Sequence, residues 1–523
     1  MKGKGFKSIV LVLSILLIFA SVASADVGGT VIPIPDGPAN SLPDYIGAPA
    51  KPHPTANSGV PQNPYLAPNP FNTIHVDPWM SDVYDIPGPL GRDPLVNSSR
   101  LEDARTDPAS KVFQCSGGVF DPYGNLLTSC SGTGEAGVIL VNPKTLEVLD
   151  YIPLTPNTSG SENAVASVYW AYYSQRGFTV ADGPDKLVTV FEAGTADHPA
   201  LEIPAGYKYD LSGVIPTGDR MAGVLWDWQG RMWFVTGGRA AEPAKACVLI
   251  PAAYPDVKCV SFGADPETGQ NEQIYNTFAM TRNAAYIVTS QKLHRVWAGA
   301  DNVPYIVWSA PYDTIDVTRS GQYELGSGTS PTILGEGRYV AITDNAEQLQ
   351  VVVYRTDERL KEGEDRIVCE EKVFDFPGSG AGALSNSLIG SRLSLIAENT
   401  AGYEIFWQER GLAPSAPGFE RIDIDPNGKG CTKVWSNQEV ASTVSGKLST
   451  RNGLVYIYSR KMENNVDVYY LTALDFRTGA VVWEKKVGSG YSFDHFYEAL
   501  LLGPDETIFM GVYDGLVTIR DSK

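Results

Sequence analysis

Two acidic residues that end equivalent strands are the first sign of chemistry in this chain. The stretches "GTSPTILGEGRYVAITDN" from Gly328 and "LSNSLIGSRLSLIAEN" from Leu384 lay Arg338 against Arg392 and Asp344 against Glu398. Two facing carboxylates can work as general acid and base, hold a cation, or grip a polar ligand. Their competing use is to cap strand ends by accepting loop N–H bonds, as Asp-Asn and Glu-Asn sequences do. Small polar residues surround both: Ser327, Thr329 and Ser330 precede the first strand pair, and Asn386 and Ser387 precede the second. Asn345 and Asn399 directly follow the two acids, and together these seven are candidate ligand contacts. Thr236, Ser290 and Ser459 end the corresponding strands elsewhere, so a carboxylate there is exceptional.

One other string could bind a metal. "DIDPNGKGCTKV" opens with Asp423, Asp425 and Asn427, the first half of a calcium-loop oxygen cage. Its ninth and twelfth positions are Cys431 and Val434, so the carboxylates that would complete six or seven hard ligands are missing. A hairpin turn on the Asn-Gly pair is the competing reading. The chain contains no G-x-S-x-G elbow, phosphate-binding P-loop, H-E-x-x-H or C-x-x-C motif, and its five histidines are scattered singly.

Positioning these residues is the work of a repeat. Small or polar residues, a short apolar run, a tight turn and a strand recur from Gly117, Ala164, Met221, Asn276, Gly328, Leu384, Thr443 and Phe496. The steps are 47, 57, 55, 52, 56, 59 and 53 residues, too regular for unrelated hairpins. Such units, with several short strands and no long helical period, suit four-stranded propeller blades. The expectation is an all-β, eight-bladed β-propeller over residues 111–523, with seven blades as the alternative because the second unit is least regular. The last unit is short of a strand, which the region from Asp82 to Ser110 could supply. In a propeller the second strand of a blade returns to the face where the first began. Asp344 and Glu398 are therefore expected near one mouth of the central channel.

The stretch "ALDFRTGAVVWEKKVGSG" resembles the repeat of quinoprotein-like (PQQ-type) β-propellers, through Ala473, Asp475, Thr478, Gly479, Trp483 and Gly488. "LVNPKTLEVLDYIPL" from Leu140 is a degraded copy. The resemblance implies a propeller in a superfamily that includes quinone-dependent dehydrogenases, outer-membrane assembly lipoproteins and tetrathionate hydrolase-like enzymes. The adjacent cysteines expected beside a quinone are absent here, which weighs against PQQ as cofactor.

The chain begins with Lys2, Lys4 and Lys7, an apolar run and "ASA" at residues 23–25, the layout of a secretory signal peptide over residues 1–25. Residues 26–110 form a proline-rich arm, with fifteen prolines between Val27 and Val96. Fixed φ angles and missing N–H donors bar that segment from a sheet interior. It is either a spacer or a strap docked through Tyr45, Tyr65, Phe71 and Trp79. A formal charge of -19 argues against nucleic acid as a partner. Six cysteines in an exported chain suggest disulfides. Cys115 and Cys130 lie symmetrically about one turn and Cys247 and Cys259 about another, leaving Cys369 and Cys431 as a third pair by elimination. The sequence thus points to a secreted, periplasmic or cell-surface protein without a stable membrane span. A small-molecule site in its funnel would make it a hydrolase or lyase using Asp344 and Glu398. The alternatives are a non-catalytic scaffold that binds a surface protein and, third, a PQQ-dependent oxidoreductase.

Overall fold

The computed structural model describes residues 31–522 except 111, 133, 155–169, 175–176, 183–185, 239–241, 267, 316, 323–324, 404–414 and 443. The signal-peptide segment lies outside the described residues. Eight sheets, antiparallel within each blade, follow one another in chain order from an innermost to an outermost strand, and they form an eight-bladed β-propeller. The inner strands are short: Ala279–Thr281, Thr332–Leu334, Ile389–Ser391 and Lys447–Ser449 begin the fourth to seventh blades.

The hairpins follow from turn chemistry. In the third blade Asp227 Oδ1 accepts the N–H groups of Gln229 and Arg231, and Gly230 takes a φ of 77° that a side chain would resist. The strands that follow such turns are apolar on both faces, because each blade packs between two neighbours. Met221–Trp226 and Met232–Thr236 are buried along their whole length.

The ring closes between the two ends of the chain. Leu95–Ser99 pairs antiparallel with Gly515–Arg520 and becomes the outermost strand of the eighth blade, so that blade has four strands. Upstream, the arm is docked along its length. Tyr45–Gly47 adds a strand to the outer edge of the seventh blade, and Asn63 Nδ2 donates to the Trp226 carbonyl in the third at 2.8 Å. Tyr65 packs on Gly230, and Phe71 stacks edge-on against Phe120 at 5.8 Å.

Three disulfides brace the ring. Cys115–Cys130 and Cys247–Cys259 each bridge directly opposed residues of neighbouring strands, in the first and third blades. Cys369–Cys431 ties the outermost strand of the fifth blade to that of the sixth. Among the described residues no helix is long and apolar enough to cross a membrane.

Candidate functional site

Between Phe71 and Tyr84 the arm turns into the central channel and lies against its wall. The carbonyls of Pro78, Trp79, Ser81 and Asp82 accept the backbone N–H groups of Met280, Ile333, Gly390 and Leu448, one from each inner strand of the fourth to seventh blades. Val83–Tyr84 then pairs parallel with Leu448 and Ser449. Inner-strand donors that would otherwise need water are thus satisfied by the chain itself. Val76, Met80 and Asp82 hold positive φ angles of 79°, 53° and 57°. Such conformations persist in non-glycine residues only when their surroundings over-determine them.

Asp82 is the hub of the inserted segment and is fully buried. Its carboxylate pairs with the fully buried Lys447 ammonium. It also accepts from Ser445 Oγ at 3.1 Å and from Ser387 Oγ, and it sits 3.2 Å from His75 Nδ1. Burial pushes this acid up, but Lys447 and His75 outweigh it and hold Asp82 at about 2, so it is ionised. A carboxylate on Nδ1 favours the imidazole tautomer that carries its proton there, which leaves Nε2 as the basic nitrogen.

His75, together with Asn386, Ser387, Ser445, Tyr497 and Glu498, lines a cavity of about 10 Å³, the space one water molecule needs. The repeat explains these walls. Asn276, Ser330, Asn386, Ser387, Ser445 and Glu498 all stand two or three residues ahead of the inner strands of successive blades, so the ring brings them to one level. Two glutamates here have the opposite electrostatic environment to Asp82. Burial pushes Glu498 up to about 8 with only the Gly117 N–H, 3.0 Å away, to support its anion. Glu398 is likewise raised to about 8 by burial, although Asn386 Nδ2 donates to it at 2.5 Å and Lys447 pulls the other way. An ionised Asp82 and two neutral glutamates in one neighbourhood are the kind of separation that divides base from acid roles.

The residues singled out from the sequence are distributed around this cavity. Ser330, Asn386 and Ser387 line it. Ser327 Oγ and Thr329 Oγ1 bond each other at 2.8 Å, and Thr329 Oγ1 accepts the Thr343 N–H. The amides of Asn345 and Asn399 tie down loops through the carbonyls of Val317 and Ser379. Asp344 is buried and raised to about 6, chiefly by burial, and its carboxylate accepts the Gln350 N–H at 2.8 Å and the Gln350 side-chain amide at 2.9 Å. It closes its own hairpin and is not among the cavity residues. Asp423 spends both carboxylate oxygens on Arg421 at 2.8 Å, and Asp425 Oδ1 accepts the Asn427 N–H in a turn. No group of three His, Cys, Asp or Glu side chains able to hold a metal occurs among the described residues.

His75, Asp82, Lys447, Ser445 and Glu498 were not singled out by sequence reasoning. Ser445 and Glu498 had a signal, their position in the repeat register; His75 and Asp82 had none, because the arm belongs to no repeat. The residues that resemble the quinoprotein repeat make packing and turn contacts. Trp483 is fully buried in the third strand pair of the seventh blade, and Asp475 Oδ1 caps the turn by accepting from Arg477 and Thr478.

No family model matches the chain. A curated relative, an uncharacterized protein of Archaeoglobus fulgidus, is 23% identical over 343 residues, covering 60% of this chain; the chain spans 64% of that relative's length. Among solved structures, a putative 6-phosphogluconolactonase from Bacteroides uniformis is 10% identical with a TM-score of 0.39, covering 72% of this chain and 98% of its own. Streptogramin B lyase is 9% identical with a TM-score of 0.38, covering 80% and 95%. The β-propeller domain of Cps50 (Swd1) from Myceliophteria thermophila is 9% identical with a TM-score of 0.39, covering 66% and 94%.

Proposed function

We propose that this chain is an exported hydrolase or lyase that acts on a small polar substrate at the level of the central cavity. The observation that carries the reading is the Asp82–His75 pair, with His75 lining the same small cavity as Glu498. In the proposed reaction His75 Nε2 takes a proton from a water, or from the substrate itself in a lyase. Glu498, protonated at neutral pH, gives one to the leaving group. Asp82 fixes the imidazole, and Lys447 keeps Asp82 ionised. Glu398 orients Asn386, and Asp344 shapes the adjoining hairpin. Three disulfides fit an oxidising compartment outside the cytoplasm.

One observation favours the competing reading of a protein-binding scaffold: the cavity has room for a water but not for a substrate, whose body would have to dock at the rim. A tricyclic quinone is too large for this cavity. Turnover assays with tetrathionate, the substrate suggested by the sequence resemblance, and with a panel of small lactones and esters separate the readings. Glu498→Gln and His75→Gln are expected to lower any turnover by about 10²–10⁴-fold while the fold is kept. Turnover that survives both substitutions would sink the roles given to His75 and Glu498, and a wild-type chain inert on the whole panel would sink the enzymatic reading.

A further inference from the structure

A second constellation lies away from the channel, on the outer half of the fourth blade. His294, on the strand Lys292–Ala298, stands directly opposite Ser309, on the outermost strand Pro304–Pro311. Ser309 Oγ lies 2.8 Å from His294 Nδ1, and His294 Nε2 lies 2.7 Å from Glu272 Oε2. Glu272 is fixed in turn: Thr289 Oγ1 donates to it at 2.6 Å, Lys292 Nζ pairs with its other oxygen at 2.7 Å, and its backbone N–H donates to the Gly263 carbonyl. The imidazole is 1% exposed, and the Phe262 ring covers it at 4.6 Å. Ser309 is the exposed member of the three.

From this geometry we infer that Ser309 is a base-activated nucleophile that reacts with small activated acyl or phosphonyl compounds, independently of the central cavity. The carboxylate, imidazole and hydroxyl form an unbroken chain of hydrogen bonds that runs from a buried anion to a surface oxygen. Such a chain is recognised by the roles its members play and not by their order in sequence. Glu272 selects the tautomer: its carboxylate accepts the Nε2–H hydrogen bond, so the Nδ1 lone pair faces the Ser309 hydroxyl. Burial raises the Glu272 carboxyl, but the hydrogen bonds from His294, Lys292 and Thr289 outweigh it and keep it an anion. Phe262 shields the pair from water, which strengthens it. Ser309 also lies on the edge strand of its sheet, open to a reagent from outside the ring.

With a small ester, Ser309 Oγ would attack the carbonyl carbon as its proton passes to His294 Nδ1. The C–O bond to the leaving alkoxide then breaks, and the imidazolium returns the proton to it. Water, deprotonated by the same nitrogen, would release the acid and restore the serine. The open position of Ser309 on an outer strand fits a compact acyl group better than a long chain.

A fluorophosphonate probe tests this with balanced chemistry: the serine oxygen bonds to phosphorus, fluoride leaves, and the proton goes to His294. Mapped by peptide mass spectrometry, labelling is expected at Ser309 at least tenfold faster than at the exposed Ser212. It should vanish in Ser309→Ala, and fall tenfold or more in Glu272→Gln and in His294→Gln. Equal rates at Ser309 and Ser212 would overturn the proposal. So would unchanged Ser309 labelling in either charge-relay variant that melts like the wild type. The Ser309-to-Ser212 comparison in the wild-type chain decides the matter even if both relay variants misfold.

Discussion

Replacing Asp82 by Ala is expected to destabilise the protein by about 3–5 kcal/mol, because breaking a buried ion pair leaves one charge in a dry interior without a partner. Lys447 and Asp82 are both fully buried, and four donors converge on the Asp82 carboxylate: Lys447, His75, Ser387 and Ser445. Without it, the ammonium can turn to Glu398, which should then ionise and recover part of the loss. The double variant Asp82→Asn with Lys447→Met removes both charges and should recover most of the stability, since well-packed neutral replacements of a buried pair are often tolerated. Thermal unfolding of the three proteins checks this. A single variant as stable as the double would show that Lys447 is not buried beside Asp82.

Removing residues 31–100 should have a still larger effect: the remaining chain is expected to form soluble aggregates or inclusion bodies rather than a monomer. The deletion strips the outermost strand from the eighth blade and uncovers the row of backbone donors and acceptors along Gly515–Arg520, an apolar strand that is buried in the intact protein. An exposed edge of that kind pairs with other chains. It also withdraws the four carbonyls that satisfy Met280, Ile333, Gly390 and Leu448, and strands Lys447. Size-exclusion chromatography distinguishes the outcomes. A monomer with the melting temperature of the intact chain would mean that the arm is dispensable to the fold.

The propeller was legible because a repeat of about 54 residues is a property of the chain alone: polar start, apolar run, turn, strand. The same register placed Ser330, Asn386 and Ser387 at one level of the ring. It could not decide what each acid would do there. Asp344 and Glu398 hold equivalent positions, yet one meets Gln350 six residues on in its own hairpin and the other meets Asn386 beside the cavity. The Asp82 hub was not legible for a different reason. Three of its four partners, Ser387, Ser445 and Lys447, are more than three hundred residues away, and the path of a proline-rich arm is set by tertiary contacts that have no period. His75 looked like a lone histidine because its carboxylate partner, seven residues on, becomes a neighbour only through the tight turn at Val76 to Met80. His294 looked alone for a similar reason: Glu272 approaches it from a loop between blades.

An ionised Asp82 and a neutral Glu398 lie around the cavity that a neutral Glu498 lines, and the pH dependence of stability tests this division of charge. A carboxyl group whose pKa rises from 4.5 unfolded to about 8 folded keeps its proton only in the native state between those values. Its stabilising contribution is complete below about pH 4.5 and is lost as pH climbs through 8, by about 1.4 kcal/mol per pH unit for each group. Asp82 acts at the other end, losing its contribution only as pH falls toward about 2. Glu498→Gln keeps an acceptor for the Gly117 N–H but has no proton to lose. The decisive measurement is the thermal midpoint of wild type and Glu498→Gln at pH 5 and pH 8. Nearly equal midpoints are expected at pH 5 and a clearly more stable variant at pH 8. A difference between the two proteins that is the same at both pH values would contradict it.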